Sequence, residues 1–167
     1  MCIRDRSSVE RVSSRAIDQR FKNYNRADLV QARLEAYDHD CDDAILAGAD
    51  GFLTEGPGFN FFIVKDGTVT SPDYNVLEGI TRRAVREICE RDGIPFELRR
   101  IRPEEISEAS EVFTSTTAGG VMPITQVNSK PIGNGHAGIV TSRIQSTYWD
   151  EREAGWHGVR ASDILAG

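Results

Sequence analysis

Leu77-Glu78-Gly79-Ile80-Thr81-Arg82-Arg83-Ala84-Val85-Arg86-Glu87-Ile88-Cys89, followed by Gly93 and Pro95, is the stretch whose reading decides the fold. Ile80, Ala84, Val85, Ile88 and Cys89 fall on one face at helical spacing, and Gly93 with Pro95 ends the pattern as a C-cap would. The spacing predicts a helix over residues 79–92 whose first turn begins at a glycine. A helix N-terminus leaves its first N–H groups without intrahelical partners and carries the positive end of the macrodipole, so it suits an anion. Gly79 lets a ligand approach the backbone and Thr81 adds a hydroxyl. Taken alone, the same stretch also reads as an ordinary capped helix end.

Upstream, strand-like runs at 44–47, 52–54, 60–65 and 68–70 are punctuated by Asp50-Gly51 and Asp66-Gly67, pairs that signal hairpins. Phe61 and Phe62, adjacent in a strand, must face opposite sides, one toward a core and the other toward an interface or pocket. Leu29, Val30, Leu34 and Tyr37 recur at helical spacing over 28–39, with Asp28 placed as an N-cap. Downstream, a strand over 96–101, a short acidic helix after Pro103 and a strand over 111–115 are expected. A hairpin over 121–127 turning near Gly133-Asn134-Gly135 and a last helix over 139–153 follow. Hairpins interleaved with helices favour an α+β (mixed α/β) fold over a strictly alternating parallel one.

The 167 residues are enough for one core, and 39% hydrophobic with 28% charged residues fits a soluble globular protein. A net charge of −6 without a basic run argues against a nucleic-acid surface. No stretch reads as a membrane span or signal core, so a cytoplasmic protein is expected. Cys2, Cys41 and Cys89 are odd in number and share no Cys-x-x-Cys spacing, which suggests neither a disulfide framework nor a thiolate metal site. His39, His136 and His157 lack ligand spacing, and no metal is expected.

Three further motifs carry chemistry. Glu55 opens Glu55-Gly56-Pro57-Gly58-Phe59-Asn60 between apolar runs, where a buried carboxylate needs a partner. Thr116-Thr117-Ala118-Gly119-Gly120 closes an apolar strand with small residues that expose backbone N–H groups. Lys22, in Arg20-Phe21-Lys22-Asn23-Tyr24, offers an amine. Each motif alone has a plain alternative: a turn glutamate, a tight turn, a solvated lysine.

In this order the motifs resemble the class IV aminotransferases, fold-type IV pyridoxal phosphate enzymes that include branched-chain, D-amino acid and (R)-amine transaminases. The likeness runs from about Phe21 to Trp149. It implies pyridoxal 5'-phosphate as cofactor, Lys22 as the catalytic Schiff-base lysine and Glu55 at the pyridine nitrogen. It further implies that Gly79, Ile80, Thr81 and Thr117 bind the phosphate, with Thr116 and Ala118 bordering the substrate. The implied partners are an amino donor, a 2-oxo acid acceptor and a second copy of the chain in a homodimer. Pro57 and Arg26 depart from the usual pattern, so the amino donor stays open. An aminodeoxychorismate lyase-like elimination and a non-catalytic cofactor-binding fragment stay open as well.

The family's small domain ahead of the lysine has no counterpart here. The chain therefore reads as the C-terminal cofactor-binding domain of the D-amino acid aminotransferase-like fold, with exposed apolar surface. The expected organisation is an unstructured or non-native leader over 1–18, the cofactor-binding domain over 19–155 and a tail over 156–167.

Overall fold

In the computed structural model, which describes residues 1–159 and 161–165, the strands form two sheets. The larger is built from β3 (Asn60–Lys65), β4 (Thr68–Ser71), β5 (Phe96–Leu98), β6 (Glu111–Thr116) and β7 (Gly120–Ile124), in the order β5-β4-β3-β6-β7. Only β4 and β5 run parallel; the other neighbours are antiparallel. β3 and β4 form the hairpin expected at Asp66-Gly67, and both turn residues have positive φ, the conformation that Asp-Gly supplies at little strain. The smaller sheet, β2-β1-β8-β9, joins β1 (Cys2–Arg4), β2 (Asp43–Ala44), β8 (Gln126–Val127) and β9 (Lys130–Pro131).

Side-chain alternation along β3 decides where the core lies. Phe61 and Ile63 face the smaller sheet and pack with Ile3, Ile45, Ile124 and Val127. Phe62 and Val64 face the opposite way, toward the helices α2 (Ile80–Asp92) and α4 (Ile139–Glu153), with Phe113, Val85, Ile88, Ile144 and Tyr148. Phe62 and Phe113 stack at 4.5 Å between centroids. Both phenylalanines are thus core, so the pocket-facing role considered for one of them does not arise. With both faces covered, β3 reads as a continuous apolar run.

The helix α2 matches its sequence pattern, and Gly93 caps it in the left-handed conformation with φ +68°. Ile80 is the exception, since it is 71% exposed at the helix start. The helix α4 spans the residues expected; its N-terminus is capped across the fold by Glu111, which accepts hydrogen bonds from Val140 N (3.0 Å), Thr141 N (2.7 Å) and Thr141 Oγ1 (2.7 Å). The short acidic helix is α3 (Glu104–Glu108), and α5 (Ala161–Leu165) lies in the segment expected as a tail. Residues 160, 166 and 167 of that segment lie outside the described residues.

Four expectations need correction. The helix α1 (Ala27–Asp38) turns its other face inward: Leu29, Ala32 and Ala36 are buried, whereas Val30, Leu34 and Tyr37 are exposed. Asp28 is not the N-cap, a position held by Arg26; it lies inside the first turn, where its carboxylate accepts Leu29 N at 2.8 Å and is otherwise taken by Arg11 and Val12 N. The turn after β8 falls at Asn128-Ser129, both with positive φ, rather than at Gly133-Asn134-Gly135. Finally, residues 1–18 are not an unstructured leader: Ile3 is fully buried in β1, Ser7 N and Arg11 N donate to the carbonyls of Ile45 and Ala47, and Arg11 is buried. That segment has no periodicity because each anchoring residue meets a different part of the fold.

Candidate functional site

The sheet and α2 place Glu55 at the end of the loop that leads into β3. Its main-chain carbonyl accepts Leu46 N at 3.0 Å, and the residue is 4% exposed. Oε1 pairs with the Arg11 guanidinium at 2.9 Å, while Oε2 accepts Leu77 N at 3.0 Å and Asn60 Nδ2 at 3.4 Å. Burial pushes the Glu55 carboxyl above its ordinary range; the Leu77 amide and Arg11 oppose that rise without cancelling it. A carboxylate in this condition can share a proton with a basic ring nitrogen.

Arg11 also reaches Asp28 Oδ2 at 2.5 Å and the side-chain carbonyl of Gln19. Burial alone would raise Asp28, but Val12 N and Arg11 outweigh it and hold that carboxyl below its usual value. The guanidinium is thus a buried hub between two carboxylates, an arrangement that suits its planar fork of donors. Sequence reading missed Arg11: it sits in a stretch without period, and its partners are 17 and 44 residues away. The signal that could have raised it is negative: a buried Glu55 requires a cation, and Lys22 was already assigned elsewhere.

The start of α2 faces the same space. Gly79 occupies the N-cap with extended geometry and no side chain caps the helix, so the N–H groups of Ile80 and Thr81 lack a protein cap. A Cβ on Gly79 would lie 2.3 Å from Asn60 Oδ1, so any side chain there has to displace the Asn60 amide that donates to the Leu77 carbonyl. Arg82, next in the helix, is buried and donates Nε to Ser71 Oγ at 3.1 Å and a second bond to the Pro72 carbonyl. It fixes the first turn of α2 to the end of β4.

All eight candidate residues, Lys22, Glu55, Gly79, Ile80, Thr81, Thr116, Thr117 and Ala118, line one cavity of about 400 Å³. Asn60 and Ser115 line it too. Among the described residues the buried Ser115 hydroxyl has no hydrogen-bond partner, which marks a place for a polar ligand atom. Lys22 is exposed, and no hydrogen bond engages its amine among the described residues. A larger cavity of about 640 Å³ runs along the other side of Glu78 and Arg82. It contains none of the eight, so the smaller space is the one with a nucleophilic amine, a buried acid and free helix amides together.

A family model for amino-transferase class IV matches residues 4–127. The probable branched-chain-amino-acid aminotransferase of Aquifex aeolicus (strain VF5) is 38% identical over 122 residues, which cover 71% of this chain and 39% of that protein. The branched-chain-amino-acid aminotransferase-like protein 2 of Arabidopsis thaliana is 35% identical over 144 residues, 85% of this chain and 26% of that protein. Among solved structures, a T.th. branched-chain amino acid aminotransferase complexed with N-(5'-phosphopyridoxyl)-L-glutamate superposes with a TM-score of 0.86 at 31% identity, covering 96% of this chain and 53% of that one. The chain thus spans about half or less of the proteins it matches. With its family-like segment, its mixed sheets and its cavity described, the chain belongs to the amino-transferase class IV family.

Proposed function

We propose that this chain carries the cofactor-binding half of a pyridoxal 5'-phosphate-dependent transaminase that moves an amino group between an amino acid or amine and a 2-oxo acid. The observation that carries the reading is the convergence of an unpaired lysine, a buried glutamate and uncapped helix amides on one cavity. Its volume, about 400 Å³, falls within the range of small-molecule sites, about 300–1,000 Å³. The residues fit a phosphopyridine: the α2 N-terminus suits the phosphate, and the Ser115 hydroxyl is still without a partner.

When bound, the cofactor supplies an aldehyde that takes up amines and a ring that accepts electron density from the substrate Cα. The chain's own residues then divide the work. Ile80 N, Thr81 N and the Thr117 backbone hold the phosphate, and Thr81 can add its hydroxyl. Glu55 would hold a proton at the ring nitrogen and so favour electron withdrawal by the ring. Lys22 would anchor the cofactor through its amine and, freed from it, would act as the base that takes the proton from the substrate Cα. Thr116 and Ala118 border the substrate. Because the amine must be neutral to act, its exposure to solvent in this chain calls for a covering wall from elsewhere in the parent protein.

A homodimer and a cytoplasmic setting belong to the same proposal. The exposed Val30, Leu34 and Tyr37 of α1 supply apolar surface that a second copy would bury. Among the described residues no helix is long and apolar enough to cross a membrane.

The names of the relatives direct the first assay. The cofactor-loaded chain is mixed with a branched-chain amino acid, and the matching 2-oxo acid is measured before and after a second 2-oxo acid is added. Stoichiometric product first and turnover on addition of the acceptor are expected. Release of pyruvate from a suitable donor with no acceptor present would instead indicate the lyase-like reaction.

A further inference from the structure

Cys2 and Cys41 are 39 residues apart in sequence, yet their Sγ atoms lie 3.4 Å from each other. The approach is fixed by the backbone. In the parallel register of β1 and β2, Ile3 faces Asp43 and Arg4 faces Ala44, which sets Cys2 beside Asp42. Cys2 N donates to Asp42 Oδ2 at 2.8 Å, and Asp42 N donates back to the Cys2 carbonyl at 2.9 Å. Cys41 lies one position off the direct partner of Cys2, and the two sulfurs have about 1.4 Å to close to reach the length of an S–S bond, about 2.0 Å.

The two sulfurs differ in access. Cys2 is half-buried, whereas Cys41 is buried in the wall of a cleft of about 490 Å³ that it lines with Arg4, Arg6 and His39. Burial, and then the neighbouring Cys2 thiol, push the Cys41 thiol up to about 11. Cys89, on the buried face of α2, is pushed up to about 12 by burial and has no sulfur neighbour among the described residues. It is a built-in unreactive control.

We propose that Cys2 and Cys41 form a reversible disulfide by exchange with a small-molecule disulfide such as glutathione disulfide. The Cys2 thiolate attacks one sulfur of the reagent, forming a mixed disulfide and expelling one glutathione thiolate. The Cys41 sulfur, giving up its proton to solvent, then attacks Cys2 Sγ; the new S–S bond forms as the mixed disulfide breaks and a second glutathione thiolate leaves. Two protein thiols are oxidised and one glutathione disulfide is reduced to two glutathiones. The bridge ties β1 to the segment entering β2 and closes the loop that holds Arg11, Lys22 and α1, so the oxidised chain is the more stable one.

The test is to incubate the 167-residue chain with glutathione disulfide, block the remaining thiols, digest without reductant and identify the linked peptides. A Cys2–Cys41 linkage, a blocked Cys89 and a melting temperature that rises on oxidation and falls back with dithiothreitol are expected. In Cys41→Ser the expected product is a lasting glutathione adduct on Cys2, a result that does not depend on the stability of the bridged form. The proposal is overturned if the wild-type chain keeps glutathione on Cys2 with Cys41 unlinked, or if Cys2 pairs with Cys89 or with a second chain. It is equally overturned if both thiols stay reduced under conditions that oxidise a flexible two-cysteine peptide.

Discussion

The two ends of the cavity are built by opposite means. At the Glu55 end a carboxylate is buried, with both oxygens bonded to Arg11, Leu77 N and Asn60, and Arg11 is itself tied to Asp28 and Gln19. At the Lys22 end the amine is exposed on a segment with only local hydrogen bonds around it, such as those between Arg20 and Asp18 and between Asn23 and Asn25. This chain therefore determines the acid's position by itself and leaves the amine's position to a ligand or a covering wall. On the proposed reading, pre-organisation lies at the end that would meet the ring nitrogen, and freedom at the end where a bond would form and break.

Substitutions at the two ends should therefore fail in different ways. Lys22→Ala is expected to have the largest effect on chemistry, lowering the rate of amino transfer by about 10⁴-fold, while stability changes by no more than about 0.5 kcal/mol. Steady-state kinetics beside a urea melt checks both halves, and a large loss of stability would erase the contrast between the ends. Arg11→Met should do the reverse. It leaves Glu55 and Asp28 buried without their cation and destabilises the fold by about 3–5 kcal/mol, read from the urea midpoint.

A third prediction concerns how Arg11 is held. The segment before it is pinned by Glu35, which accepts hydrogen bonds from Ser7 Oγ and from Ser8 N and Oγ and pairs with Arg4 at 2.7 Å. Burial would raise this carboxyl, but those partners outweigh it and hold it at about 2. Because the folded value lies below the unfolded one, the stabilisation is complete above about pH 4.5 and is lost as pH falls toward 2. Urea midpoints measured down the acid limb should fall more steeply for the wild-type chain than for Glu35→Gln, and parallel profiles would show that the pin has no effect.

The smallest effect is expected at Gly93, remote from both ends. Its φ of +68° is strained for any residue with a Cβ, so Gly93→Ala should cost about 1 kcal/mol in a thermal melt and leave amino transfer unchanged. A loss of activity there would show that α2 transmits strain to its N-terminus, and the contrast between the two ends would need revision.

What was legible in the sequence follows the same division between local and distant causes. The helix α2 with its Gly93 cap, the Asp66-Gly67 hairpin and α4 were readable because their determinants lie within a few residues. The face of α1 was not: Leu29, Ala32 and Ala36 and the outward set Val30, Leu34 and Tyr37 both have helical spacing. The choice is made by Cys41, Ala44 and Leu46, against which the small alanines pack closely. Glu111 capping α4 and Arg11 anchoring Glu55 are likewise pairings across the fold that no window of sequence contains. For the site, the order of the motifs was enough to name eight residues that share the cavity. The supporting shell of Arg11, Asn60 and Ser115 became visible only once burial and partners were known.

The proposed chemistry rests on Lys22 and Glu55 addressing opposite ends of one ring whose phosphate sits on the α2 N-terminus. Loading the chain with pyridoxal 5'-phosphate, reducing it with borohydride and locating the phosphopyridoxyl label by peptide mass mapping tests this geometry at the bond itself. A single label on Lys22 is expected, weakened when Glu55 is changed to Gln and absent in Lys22→Ala. A label of equal strength on Lys65 or Lys130, or one on Lys22 that is indifferent to Glu55, would refute it.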